Sequence, residues 1–542
     1  MDESESIPLL EKPCWPLKTE DNSMPLIQIY DTTLRDGTQS EGFTLSGYDK
    51  IRVARRLDEL GVAFIEGGWP GSNPKDAEFF ERARDLEWKN ALIAAFGSTC
   101  RVKGGPEDDA NIQALLEART PVCTLFGKTW NLHVTEVLLT TLDDNLRIIE
   151  QSIAHLRAAG RRVIYDAEHF FDGYKADPSY ALETLEAAVR GGAETLVLCD
   201  TNGGSLPWEV EAILHEMKEA LQHPFGIHTH NDGECAVINA LTAVRQGAIQ
   251  VQGTINGVGE RCGNANLCSV MANLELKMKR RCLPEGGLEK LSELSHFVDE
   301  VANVTPNDHL PYVGKSAFAH KGGVHVAAMR RCEQSYQHVA PEQVGNKMRV
   351  VVSALSGRAN ILSKAEEHGV AVSDSTDVVG VLNDVKELEA RGFSFEAAEA
   401  SVAMMLKRQQ PDYQPLFELI DFLVNVEHRQ GRGIFAEAMV KVRVGDEVLH
   451  TAAEGNGPVN ALDIALRKAL LGHYPQIADF NLADYKVRIL DGQDGTEAIT
   501  RVLIDTRNTT RLWSTVGASA NIIEASWQAL VDAVEYGLSV AH

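Results

Sequence analysis

Residues 26–67, LIQIYDTTLRDGTQSEGFTLSGYDKIRVARRLDELGVAFIEG, read as one complete β-α-β unit. The apolar run LIQIY (26–30) gives out into a polar loop. LSGYDKIRVARRLDELG (45–61) then sets leucine, isoleucine and valine at helical spacing and stops at a glycine, and AFIEG (63–67) starts a second apolar run. Short apolar runs separated by amphipathic helices mark parallel strands joined by crossovers. Further along come ALIAAF (91–96), VCTLF (122–126), RVIYDA (162–167), TLVLCD (195–200), FGIHTH (225–230) and IQVQGT (249–254), with TLDDNLRIIEQSIAHLRAAG (141–160) as another helix of the same kind. Eight evenly spaced units predict a closed (β/α)8 TIM barrel. The competing open, doubly wound sheet would carry a G-x-G-x-x-G phosphate loop after its first strand, and none is there.

A barrel collects its active site on the loops that follow its strands. That rule selects RDG (35–37) after the first strand, with Gly37 expected to let the turn bend. It also selects Glu66, Glu168, Thr201, His228, His230 and Asn264, which should converge on one mouth. His228 and His230 are two apart on a strand, so their imidazoles share a face and can chelate. Asp36 and the amide oxygen of Asn264 would complete a mixed nitrogen and oxygen shell with positions open for substrate or water. Histidines on a barrel strand can also simply hydrogen-bond in the core; the RDG loop beside them favours the metal.

Composition limits the setting. The chain has 542 residues, 44% hydrophobic and 24% charged, enough for several domains and a large core. Its net charge of −25, with no concentrated lysine or arginine patch, argues against nucleic acid and anionic lipid as partners. No apolar run reaches 18 residues, so no membrane span is expected. Nine cysteines lie scattered without a CxxC pair, several inside strand-like runs, which suits buried thiols in a reducing compartment, the cytoplasm. Residues 1–25, acidic and proline-containing, fit neither a signal nor a transit peptide and read as a disordered tail.

DTTLRDGTQ, FIEGGWPGSNPKD, GIHTHNDGECAVINAL and NGVGERCGNANL resemble the acyl-CoA condensing branch of the DRE-TIM metallolyase superfamily, which contains the 2-isopropylmalate, homocitrate and citramalate synthases. The resemblance runs from about Ile27 to the C-terminus. Within the branch, LFGKTWNLHVTEVLLTTLDDN, YDAEHFFDGYKADP and VGNKMRVVVSALSGRANIL are most similar to the long-chain citramalate synthases, which join acetyl-CoA to pyruvate. Carried over by motif, the resemblance implies that Asp36, His228, His230 and Asn264 bind a divalent metal (Mn, Mg, Zn or Co), that Arg35 contacts the keto-acid oxygens, and that Glu66 holds Arg35. Thr201 would donate to the substrate carboxylate, with Glu168 near the substrate side chain or the thioester carbonyl; Tyr165 and Asp166 lie close by in a motif that departs from other synthases of the branch. His169 and Trp130 either line the mouth or pack beside it. A general base is also required, and SAFAHKGGVHVAAM (316–329) offers His320 and His325, of which motif position favours His325, reaching the site from the partner subunit of a homodimer. The alternatives are a synthase for a bulkier 2-oxo acid, such as 2-isopropylmalate synthase, and a lyase of the hydroxymethylglutaryl-CoA type, to whose loop cysteine Cys262 bears a faint likeness.

Four segments are expected: the tail (1–25), the barrel (26–285), a helical linker carrying the base (286–415) and an α+β domain (416–542). In the last, AMVKVRV, YKVRILD, AITRVLIDT and TRLWSTVG alternate as strands around the helices VNALDIALRKALL and NIIEASWQALVDAVEYGL. This domain resembles the regulatory domain of isopropylmalate and long citramalate synthases, which implies isoleucine as the effector. Gly455, Gly457 and Gly495 belong either to turns or to the effector site.

Overall fold

Eight short strands close on one another: β1 Gln28–Asp31, β2 Phe64–Gly68, β3 Leu92–Ser98, β4 Val122–Lys128, β5 Arg162–Glu168, β6 Thr195–Asp200, β7 Phe225–Thr229 and β8 Gln250–Gly253, in that spatial order. Parallel pairing of β8 with β1, from Gln28↔Gln250 to Asp31↔Gly253, completes the barrel. The computed structural model describes residues 26–370, 377–431, 433–490 and 497–540; the tail at 1–25, with Cys14, and Gly495 lie outside the described residues. By packing, the described chain divides into two compact units, one of residues 26–318 with Val339–Lys347, the other of Ala319–His338 and the chain from Met348 onward.

Alternation along the barrel strands sorts their side chains. Tyr30, Phe64, Ala94, Val122, Ile164, Val197 and Cys199 fill the interior as a cluster of their own. Their outward neighbours, among them Ile29, Ile65, Cys123, Val163 and Leu198, pack against Leu57, Phe79, Leu115, Ile149 and Leu185 of the surrounding helices. Burial on both faces explains why most of these strands read as near-continuous apolar runs, with β8 (QVQG) the clearest exception.

The first helix shows how sequence sets an element's ends. Gly47–Leu60 starts at Ser46, whose side chain accepts from the Asp49 amide while the Asp49 carboxylate accepts from the Ser46 amide, and it buries Val53, Leu57 and Leu60. It stops at Gly61, where φ is +101° and a Cβ would lie 2.2 Å from Pro284 Cδ, so only glycine serves there.

In the second unit, three antiparallel strands followed by a helix occur twice. Glu418–Arg429, Gly433–Val444 and Glu447–Gly455 precede the helix Pro458–Leu470; Asn481–Ile489, Thr500–Arg507 and Leu512–Ser519 precede Ile522–Ser539. Val440, Val442, Leu466, Ile504, Leu530 and Val534 share the core between them. A further layer, helices Arg358–Glu367, Val378–Ala390 and Glu399–Arg408, packs through Ile361, Val381, Val385 and Val402.

Candidate active site

The chain leaves β1 through a tight turn in which the Arg35 and Gly37 amides both donate to the Thr32 carbonyl, each at 3.1 Å. Gly37 opens a short 3-10 turn, and its role differs from the expected bend: its φ is not left-handed, but a Cβ there would press on Val258 Cγ2 at 3.1 Å. Glycine makes room for the β8 loop rather than for a sharp corner.

Arg35 is held on three sides. Its Nε donates to the buried Glu66 at 2.6 Å, its Nη1 to Asp36 at 3.2 Å, and its guanidinium carbon lies 3.8 Å from the centroid of the Phe96 ring. Glu66 also accepts from the Tyr30 hydroxyl at 2.7 Å and from Thr32 Oγ1. The shorter of the two ionic contacts therefore goes to Glu66. Among the described residues no hydrogen-bond or ionic partner meets Arg35 Nη2, which leaves that donor for a ligand.

Beside this arginine, Asp36, His228 and His230 bring one ligand-type atom each within 4.8 Å of the others, all three buried. Asp36 Oδ2 lies 3.5 Å from His228 Nε2 and 3.8 Å from His230 Nε2, and the two Nε2 atoms are 3.2 Å apart. A backbone bridge pairs Asn264 with His230, and the Asn264 side chain interacts with Asp36. Asp36 Oδ1 and Asn264 Oδ1 are buried without a hydrogen-bond partner. Buried oxygens are normally satisfied, so two of them orphaned beside two imidazoles fit a cation with mixed nitrogen and oxygen ligation. Protonation suits it as well. Burial would raise the Asp36 carboxyl, but the Arg35 guanidinium and the two imidazoles outweigh burial and bring it to about 2. Burial lowers both histidines, His230 to about 4 with the charge of His228 adding to the effect, so both imidazoles are neutral at neutral pH.

The β8 loop that carries Asn264 is folded back onto the end of β7. Asn231 N–H donates to the Gly263 carbonyl at 2.9 Å, Ala265 N–H to the Thr229 carbonyl at 2.9 Å, and Asn264 N–H to the Gly257 carbonyl at 3.0 Å. Gly263 has φ +92°, and a Cβ there would sit 2.0 Å from the Gly257 oxygen. Arg261 pins the rim by gripping both Asp232 oxygens, at 2.8 and 2.9 Å, and the Thr201 carbonyl at 2.7 Å. Thr201 Oγ1 accepts the His169 amide at 2.9 Å, which directs the hydroxyl hydrogen elsewhere.

On the β4 and β5 side, Glu168 receives the Lys128 ammonium, a partner the sequence reading missed because it follows only from the register Lys128↔Glu168. Tyr165 and Asp166 part company: the Tyr165 ring packs outward near Ile149, and Asp166 points into the barrel. Trp130, His133 and His169 pack against one another in tilted and edge-on pairs, with centroids 4.4 to 5.9 Å apart. Cys262 is exposed and unpaired. His320 and His325 belong to the second unit; His325 is exposed and stacked on Tyr336 at 4.2 Å, while His320 is half-buried with Nε2 unpartnered. A second carboxylate and histidine group, Glu367, His368 and Glu399, already holds the buried ammonium of Lys364 and is an ion-pair network.

A closed eight-stranded barrel with this cluster at its mouth defines an HMGL-like enzyme domain, and the model of the HMGL-like family matches residues 26–298. Beyond it, residues 312–392 match the homocitrate synthase post-HMGL domain-like family and residues 377–538 the LeuA allosteric (dimerisation) domain. Full-length relatives are more specific. The (R)-citramalate synthase of Geobacter sulfurreducens is 54% identical over 518 residues, 95% of this chain and 98% of that one. Those of Synechocystis sp. and Aquifex aeolicus are 52% and 49% identical, each over 94% of this chain and 96% and 98% of their own. The chain belongs to the (R)-citramalate synthase family.

Proposed function

We propose that the barrel condenses acetyl-CoA with pyruvate: the acetyl methyl carbon, after losing a proton to a base, bonds to the ketone carbon of pyruvate, and water then cleaves the thioester to release (R)-citramalate and CoA. The observation that carries this reading is the buried Asp36, His228 and His230 group with Asn264 beside it and Arg35 alongside. A divalent ion there, whether Mn, Mg, Zn or Co, would supply Lewis-acid polarisation of the keto acid. Arg35, held by Glu66 and Phe96, offers its free edge to the oxygen that gains charge as the carbon-carbon bond forms. Thr201 has a hydroxyl hydrogen to give to the substrate carboxylate, and Glu168, fixed by Lys128, walls the other side. The names of the full-length relatives support pyruvate as the keto acid. A panel of 2-oxo acids with acetyl-CoA, read by free-thiol release, tests this: pyruvate should give the highest kcat/KM, and a preference for 2-oxoisovalerate overturns it.

His325 is our choice of base, supported by its motif position and by its solvent-exposed ring. His325→Ala should keep metal and pyruvate binding yet fail to exchange acetyl-methyl protons with solvent. Loss of exchange in His320→Ala with His325→Ala unaffected reverses the assignment.

We propose further that the chain works as a homodimer in the cytoplasm, with the region from residue 416 as a regulatory domain that binds isoleucine, the end product of the route opened by citramalate. The LeuA allosteric (dimerisation) match supports the dimer and the regulation. Eight unpaired cysteines among the described residues, with no helix there long and apolar enough to cross a membrane, are compatible with that compartment. Calorimetry on the full chain should show isoleucine binding together with a fall in rate at millimolar concentration; neither effect would make the domain an assembly element instead.

A further inference from the structure

Two polar side chains inside the barrel are left over once the mouth is accounted for, Gln252 on β8 and Asp166 on β5, both buried. Gln252 Nε2 donates to Asp166 Oδ1 at 2.9 Å, and Gln252 Oε1 faces His228 Nδ1 at 3.0 Å. A primary amide has one donor end and one acceptor end. By taking the donor end, Asp166 turns the acceptor end toward His228. An imidazole nitrogen that faces a carbonyl oxygen must carry the ring proton, so the other nitrogen, Nε2, keeps its lone pair. Nε2 is the atom of His228 that lies 3.5 Å from Asp36 and 3.2 Å from His230. With the amide reversed, its N–H would face Nδ1, the proton would move to Nε2, and His228 would aim a hydrogen into the ligand cluster. His230 has no such guide, since its Nδ1 is without a partner.

We propose that Asp166 and Gln252 are positioning residues that hold His228 in its Nδ1–H tautomer, setting one ligand before any ion arrives. This rests on the reading of Asp36, His228 and His230 as the ligand set. It also explains why an amide, Gln252, and a carboxylate, Asp166, occupy inward positions that a packed barrel would give to aliphatic side chains.

The test uses the metal-stripped full chain and Co(II), titrated against a chromophoric chelator. Gln252→Leu should weaken Co(II) binding about 10- to 100-fold, the usual cost of losing a partner behind a metal ligand. Asp166→Asn keeps an acceptor for the amide, so it should bind within a few-fold of wild type. Wild-type affinity in Gln252→Leu, with His228→Ala weakened, overturns the positioning role and leaves the ligand set standing. Equal affinity in wild type and His228→Ala overturns the ligand set and the proposal with it. A readout that does not depend on Gln252→Leu folding is nitrogen-15 histidine resonance of the metal-free wild type, with His228 identified by its loss in His228→Ala. A protonated Nδ1 and an unprotonated Nε2 are expected, and the opposite pattern overturns the proposal.

Discussion

Arg35→Lys should lower turnover by about 10²- to 10³-fold, the scale of losing one donor to a developing oxyanion, while divalent-metal content stays at the wild-type level. The charge is kept in this substitution, so the loss has to come from shape. The guanidinium spends Nε on Glu66, Nη1 on Asp36 and its flat face on Phe96, and still presents a free edge. An ammonium is a single point with no flat face and cannot meet those demands together. The nearest strong acceptor is Glu66, which is fully buried and would draw the lysine toward it and away from substrate. Steady-state kinetics with metal content measured on the same preparation decides the matter. Turnover near wild type would remove Arg35 from the chemistry.

His230→Ala should weaken divalent-metal binding by more than about 100-fold, beyond the 10- to 100-fold typical of losing a partner behind a ligand, because here a ligand itself is lost. His230 is buried and neutral, and its Nε2 lies 3.2 Å from that of His228, so its removal leaves two protein ligands from the group of three and a cavity in their place. Activity should fall in step with occupancy and recover in part at high metal concentration. Unchanged affinity by chelator competition would mean that the two histidines are core residues bonded to each other.

The barrel was legible because most of its strands are largely apolar on both faces and each ends in a polar loop, so the spacing of apolar runs marks position and direction. His228 and His230 were legible for the same reason: two residues apart on a strand means one face. Gln252 and Asp166 were not, since their meaning depends on a contact across the barrel interior that spacing along the chain does not encode. Lys128 with Glu168, and Phe96 under Arg35, were hidden likewise in register and in side-chain reach. In the second unit the strands Glu418–Arg429 and Glu447–Gly455 escaped notice; Glu447–Gly455 has no fully buried residue to impose a clean alternation, whereas YKVRILD, in the equally exposed Asn481–Ile489, alternates in sequence all the same.

If a metal held by Asp36, His228 and His230 is what lets this barrel join acetyl-CoA to pyruvate, activity must follow the ion. The most direct measurement is pyruvate-dependent release of CoA thiol from acetyl-CoA by one preparation before chelation, after exhaustive chelation, and after return of a divalent ion. Release should stop on chelation and return with the ion in wild type, and should fail to return at the same ion concentration in His230→Ala. Full-rate release from the chelated protein would contradict the account.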